Sequence, residues 1–175
     1  MRKSYLFYFL IIGIILISCS SENEKDLMSK AQTQLREGSY TEALSSLEKI
    51  ANEFPKTTEA GTAFLEMAKL YQGRAIKNID DRESFLKAVE YYQVVYKEYP
   101  ELKNSDGEDV APGALFMCGF LQANEINDFE AAEKTYKLFL EKFPDHELAS
   151  SAEIELENLG LTPEEILLKA MAQPK

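Results

Sequence analysis

The 175 residues include no tryptophan, a single histidine and two cysteines, and acidic residues outnumber basic ones 30 to 19. Each scarcity excludes something. Beside the one histidine, His146, there is no nucleophile motif, no glycine-rich phosphate loop and no cluster of metal-ligating residues, so neither an enzyme nor a cofactor or metal site is expected. The many carboxylates fall at helix-surface spacing and not as acid–base pairs. A formal net charge of −11 repels phosphate backbones and anionic lipid, which excludes nucleic acid as a partner. Cys118 sits in the apolar GALFMCGFL, where a thiol reads as a small buried hydrophobe and not as a nucleophile.

Charge is also missing from one long run, Tyr5 to Ser18, which follows Arg2 and Lys3. A short basic start before an apolar stretch is the layout of a secretory signal, and the stretch is short for a bilayer-spanning helix, which takes about 20 residues. Leu16-Ile17-Ser18-Cys19 resembles the lipobox of bacterial lipoproteins. That resemblance implies that residues 1–18 are a cleaved signal peptide and that Cys19 becomes the first residue, carrying a diacylglycerol thioether. It further implies two or three acyl chains, enough for stable anchoring where one chain is not. Ser20 and Ser21 follow, with no Asp at the second position, which by the same resemblance favours the outer membrane, facing the periplasm. Removing Arg2 and Lys3 takes the net charge from −11 to −13. The acyl group, and no basic patch, then does the membrane work. With Cys19 lipidated, Cys118 has no partner and no disulfide is expected.

The rest of the chain repeats itself. YTEALSSLEKIANEFP (Tyr40 to Pro55), FLKAVEYYQVVYKEYP (Phe85 to Pro100) and FEAAEKTYKLFLEKFP (Phe129 to Pro144) align without a gap. The frame is an aromatic residue, Ala three later, apolar residues at steps of three and four, and an aromatic-Pro end. Such steps place Tyr40, Ala43, Leu47, Ile50 and Phe54 on one helix face, as they do Phe85, Ala88, Tyr92, Val95 and Tyr99, and Phe129, Ala132, Tyr136, Phe139 and Phe143. The alanine marks a close helix crossing, and proline stops the helix. A second helical pattern precedes each copy, through Leu27, Ala31 and Leu35, through Phe64, Met67, Ala68 and Tyr71, and through Leu115, Cys118, Gly119 and Gln122. Helix, turn, helix with Ala or Gly at the first crossing and Ala at the second resembles the tetratricopeptide repeat, whose unit is 34 residues. The implied fold is an all-α, right-handed helical stack of about three repeats with C-terminal capping helices.

This chain departs from that unit in length. Its repeat-ending prolines, Pro55, Pro100 and Pro144, are 45 and 44 residues apart. One surplus, Gln72 to Ser84, is expected to lengthen both helices of repeat two; the other, Glu101 to Pro112, is expected as a polar loop. Asp106, Gly107, Glu108 and Asp109 lack the alternating oxygen ligands of a calcium loop, so a solvated turn is expected there. The register of repeat three slips by one residue between Gly119 and Phe129. Three caps are expected: a capping box of Ser39 and Glu42, Asp145 ahead of a helix with Ala149, Ala152, Leu156 and Leu159 closed by Gly160, and Thr162-Pro163-Glu164-Glu165 opening a last short helix with Ile166, Leu167 and Met171. The divisions are therefore 1–18 signal peptide, 19–23 lipidated tether, 24–160 repeat domain with capping helix, and 161–175 short C-terminal helix and tail.

Tetratricopeptide stacks bind peptides or partner helices in a groove lined by each repeat's first helix. Carrying the groove positions over gives Met28 and Gln32, Leu65 and Lys69, and Phe116 and Phe120. The Lys and Asn carboxylate clamp of the chaperone-binding branch is absent from most of them, and the implied groove is apolar. Ile166, Leu167 and Met171 folding back to fill it is the competing arrangement. AAEKTYKLFLEKFPDHELASSAEIELENLG is similar to repeats of the outer-membrane barrel-assembly (BamD-type) lipoproteins and of the periplasmic Tol–Pal coordinator, although the former carry about five repeats. The expectation is a membrane-anchored envelope adaptor that holds a protein or peptide partner. The alternative is a lipoprotein whose groove binds a lipid or small apolar ligand.

Overall fold

The computed structural model describes residues 22–77 and 81–172. The expected signal peptide and Cys19 lie outside these residues, as do three positions of the surplus in repeat two. Among the described residues eight α-helices follow one another: α1 (Glu24–Arg36), α2 (Tyr40–Glu53), α3 (Thr58–Lys77), α4 (Arg82–Glu98), α5 (Val110–Leu121), α6 (Phe129–Lys142), α7 (Ala149–Glu157) and α8 (Pro163–Ala172). From α1 to α7 each packs on the next, and α1 also reaches α3.

The core is three clusters strung along the stack. Leu27, Leu47, Ile50 and Met67 centre the first, Phe85, Tyr92, Val95 and Cys118 the second, and Tyr136 and Phe139 the third. Leu44, Phe64, Tyr91 and Tyr99 touch both the first and the second, which run into one another. The crossing residues Ala31, Ala43, Ala68, Ala88 and Ala132 are all fully buried. At Gly119 the approach is closer still, since a Cβ there would meet the Tyr136 ring at 2.8 Å.

The aromatic-Pro ends repeat in geometry as well as in sequence. Phe54, Tyr99 and Phe143 have φ of −125°, −130° and −133° with ψ of 47°, 52° and 52°. Proline forbids helical geometry to the residue before it, so each aromatic leaves the helix at the same point. Each still donates its N–H four residues back, and its carbonyl accepts from the residue three ahead, Thr57, Leu102 or His146.

The surplus residues have definite places. In repeat two, α3 has 20 residues and α4 17, against 13 and 14 in α1 and α2, so both helices are lengthened as expected. In repeat three, α5 runs into a five-residue π turn, Gln122–Ile126, ended by Asn127 in the left-handed region (φ 58°). A π turn takes one residue more than an α turn, which is the one-residue slip. Arg82, in the first turn of the lengthened α4, donates from Nη1 to the Ile126 carbonyl and ties the two irregularities together.

Three expectations need correcting. Ser39 precedes α2 but forms no capping box with Glu42. Gly38 (φ 77°) donates to Leu35 and Ser39 to Gln34, the two bonds of a Schellman ending to α1, so the backbone of Ser39 belongs to the end of the preceding helix. Asp145 does not cap α7, which starts without a side-chain cap; the His146 ring closes the turn before it, its Nδ1 accepting from the Leu148 N–H at 3.1 Å. The polar loop is also shorter than read, because Ala111 and Pro112 are buried in the first turn of α5. Its hairpin is closed by Asn104, whose Oδ1 accepts from the N–H groups of Asp106 and Glu108, both at 2.9 Å. Thr162 and Glu165 do form the expected reciprocal box at α8, at 3.2 and 2.8 Å.

Candidate partner-binding face

The six groove positions sit on α1, α3 and α5 in unlike surroundings. Met28 is buried in the first core cluster, with little surface left for a ligand. Phe116 packs its ring against Tyr136 and Phe139, both with centroids 5.9 Å away, and is half-buried by them. Leu65 and Phe120 are half-buried against the middle cluster. Gln32 and Lys69 are exposed, and Lys69 pairs with Glu66 at 2.9 Å. The surface these positions offer is therefore mixed, with three half-exposed apolar residues and two polar ones. A first-helix residue at a given register divides its surface between groove and neighbour according to the neighbour's size, and Tyr136 and Phe139 are large enough to claim Phe116.

Ile166, Leu167 and Met171 do not fill it. Nothing in α8 is buried, and Leu167, Leu168 and Met171 are 61, 65 and 74% exposed. Lys169 holds α8 against the end of α7, donating to the Glu157 carbonyl at 3.0 Å and to Asn158 Oδ1 at 3.1 Å. The helix is an outlying element, docked by one ammonium and by no core.

Titratable and nucleophilic groups inside the stack are structural. Burial pushes the Cys118 thiol up to about 12, and its Sγ points at the Val89 carbonyl, 3.6 Å away. Burial likewise pushes the Tyr92 hydroxyl up to about 12, and its O–H donates to Gln72 Oε1 at 2.8 Å. The Tyr136 hydroxyl is buried and finds no hydrogen-bond partner among the described residues. Among the described residues no three of His, Cys, Asp and Glu come together to hold a metal ion, and no helix is long and apolar enough to cross a membrane.

A cleft missed by sequence reasoning opens at the turn end of the stack, between the last turn of α4, the start of α5 and the turn joining α6 to α7. Its volume is about 780 Å³. Tyr96 and Phe143 meet edge-on in it, centroids 6.4 Å apart, beside Pro112 and Leu148. The surplus segment between repeats two and three, read from its composition as a solvated loop, builds one wall; the aromatic-Pro end of repeat three builds another.

The family model for the tetratricopeptide repeat matches residues 27–57 and 114–146. These are the repeats made by α1 with α2 and by α5 with α6, and the helices between them stack in the same alternating order. The fold is a tetratricopeptide-repeat stack. The unmatched middle repeat is the one whose helices are lengthened. No curated protein sequence matches the chain. Tetratricopeptide stacks are scaffolds for protein–protein interaction and typically have no catalytic role.

Proposed function

We propose that the protein is a lipid-anchored adaptor of the bacterial cell envelope, held to the membrane through Cys19 and presenting its repeat stack to a protein partner. The supporting sequence features are the basic start, the uncharged run to Ser18 and the lipobox-like Leu16 to Cys19. The structural observation that carries the reading is at the other end of the tether. Glu22 pairs with Lys30 of α1 at 3.2 Å and with Lys49 of α2 at 3.4 Å, and both ammoniums hold its carboxyl below the usual carboxylate range. Exposed pairs of this kind hold weakly, but two on one carboxylate set where the chain leaves the stack. Only Ser20 and Ser21 separate that residue from Cys19, and the five residues from Cys19 to the start of α1 reach roughly 17 Å when extended. An acyl group on Cys19 thus keeps the first repeat at the bilayer surface. The partner is a component of a membrane-bound complex, with outer-membrane assembly the specific role that the repeat resemblance favours.

The test is expression of the full chain and of Cys19→Ala in a Gram-negative host fed an alkyne fatty acid. The full chain is expected to take up label, sediment with membranes and retain a protein partner after mild-detergent extraction. A Cys19→Ala chain as tightly membrane-bound as the parent refutes the anchoring. Native mass spectrometry that finds a retained lipid and no protein supports the apolar-ligand alternative instead.

A further inference from the structure

The cleft at the turn end of the stack lies apart from the first-helix positions and has a chemistry of its own. Its floor is aromatic and aliphatic, from Tyr96, Phe143, Pro112 and Leu148. Five carboxylates line it: Glu101, Glu108, Asp109, Asp145 and Glu147. The one lining ammonium, Lys142, is paired with Glu141 at 3.1 Å, so it offers the cleft little. Of the five, Asp109 is paired with Lys103 at 2.6 Å and Glu108 accepts from Asn104 at 2.8 Å; Glu101, Asp145 and Glu147 have no ion pair among the described residues. The helix ends offset one another, because α4 and α6 bring negative C-terminal poles where α5 and α7 bring positive N-terminal ones. The carboxylates therefore set the sign of the potential, and a concave low-dielectric wall focuses it.

We propose that this cleft docks a basic segment of a partner protein, an extended stretch in which Lys or Arg residues flank one aromatic or large apolar side chain. The volume falls in the range of ligand clefts and is suited to one such side chain with its backbone. The apolar residue covers Tyr96 and Phe143, and the flanking cations meet Glu101 and Glu147 at the rim. A divalent cation is not the occupant the geometry describes, since the carboxylates are spread around the rim and no three of them converge on a point. The proposal concerns a different face from the first-helix positions and does not depend on the lipid anchor.

The probe is a fluorescein-labelled heptapeptide with two Lys and two Arg around a central Phe, titrated by anisotropy at low salt against residues 20–175. Glu101→Gln with Glu147→Gln is expected to weaken binding about tenfold, as rim charge pairs do. Glu42→Gln with Glu90→Gln, an equal charge change on exposed faces of α2 and α4, is expected to leave it within twofold. Replacing the central Phe by Ser is expected to weaken binding to the parent protein as well. Both carboxylate pairs are exposed, so neither double variant threatens the fold, and circular dichroism verifies it. Equal losses from the two double variants mean attraction to net charge alone and overturn the proposal. So does a Ser peptide that binds as well as the Phe peptide, or no binding at all.

Discussion

Gly119→Ala tests whether the Ala and Gly positions are close crossings in fact, and its sign can be worked out from the structure. A Cβ at Gly119 would lie 2.8, 3.0 and 3.1 Å from Cε1, Cδ1 and Cζ of Tyr136. All three are ring atoms, so no flexible tip can swing aside. The ring is itself fully buried and faces Phe116 at 5.9 Å, so it has little room to retreat. Overpacking of this kind costs about 1–3 kcal/mol, and a locked ring puts it at the upper end. Replacing a helix glycine by alanine returns about 1 kcal/mol. The net is a loss of about 2 kcal/mol, or a fall in Tm of about 4–8 °C for a chain of this size. Gly113, six residues earlier in the same helix, has nothing within 4 Å of its would-be Cβ. Gly113→Ala therefore receives the propensity gain alone, less a little for its place near the helix start, and should raise stability by up to about 1 kcal/mol. The assay is urea unfolding followed by circular dichroism at 222 nm on residues 20–175 with each single variant. A Gly119→Ala protein as stable as the parent, or two variants shifted in the same direction, would refute the reasoning.

Four further outcomes follow from buried groups and from the end of the stack. Tyr136→Phe removes a buried hydroxyl that has no hydrogen-bond partner among the described residues, so it should stabilise by about 1 kcal/mol in the same assay; a loss of that size would mean the hydroxyl is satisfied after all. Cys118 should resist a thiol reagent at pH 8 and react fully in denaturant, because its thiol is buried and raised to about 12; fast labelling of the native protein would contradict the burial. That thiol and the Tyr92 hydroxyl hold their protons in the folded state to about 12, against 9.0 and 10.0 for the ordinary groups, so the unfolded chain releases them first. Stability should then be undiminished by these groups below pH 9 and fall progressively between pH 9 and 12, which denaturant melts across that range would show. Truncation after Gly160 should cost less than about 1 kcal/mol, since nothing in α8 is buried; loss of cooperative unfolding would show that α8 is part of the core.

What the sequence made legible was whatever depends on one helix face or on backbone chemistry. Ala31, Ala43, Ala68, Ala88 and Ala132 could be read as crossings because helix periodicity alone puts them on a buried stripe. Phe54, Tyr99 and Phe143 could be read as helix ends because proline acts on its neighbour in any context. The Thr162 and Glu165 box is equally local. The failures are competitions that local pattern does not rank. Ser39 is at once the second residue past α1 and the residue before α2, and the ending of α1 prevails in a turn that short. Asp145 and His146 both stand before α7, but the turn after Phe143 presents the imidazole, not the carboxylate, to the Leu148 amide. Phe116 has the right register for a groove and yields much of its surface to Tyr136 and Phe139, residues of another helix. The cleft was the least legible feature, because Tyr96 and Phe143 are brought together by stacking and have no relation in sequence beyond the shared repeat frame.

The irregular middle of the stack is where its repeat geometry and its length disagree, and the structure shows how both are kept. Longer α3 and α4 would by themselves overhang the shorter helices on either side. On one side the first turn of α4 passes Arg82 to the Ile126 carbonyl, a contact that the π turn of repeat three places within reach. The π turn adds its residue beyond Cys118 and Gly119, so the crossing at Gly119 is undisturbed while the chain beyond is displaced to meet the overhang. Its Gln122 amide, buried and oriented to satisfy its neighbours, donates toward Thr135 Oγ1 at 2.7 Å and so fixes the turn to α6 as well. At the opposite end of the same helices the segment Glu101 to Asp109 fills the remaining offset, with Leu102 buried as its anchor. The long middle repeat thus accounts for the π turn at one end of the helices and for the walled, acidic cleft at the other. A chain with three standard repeats would need neither.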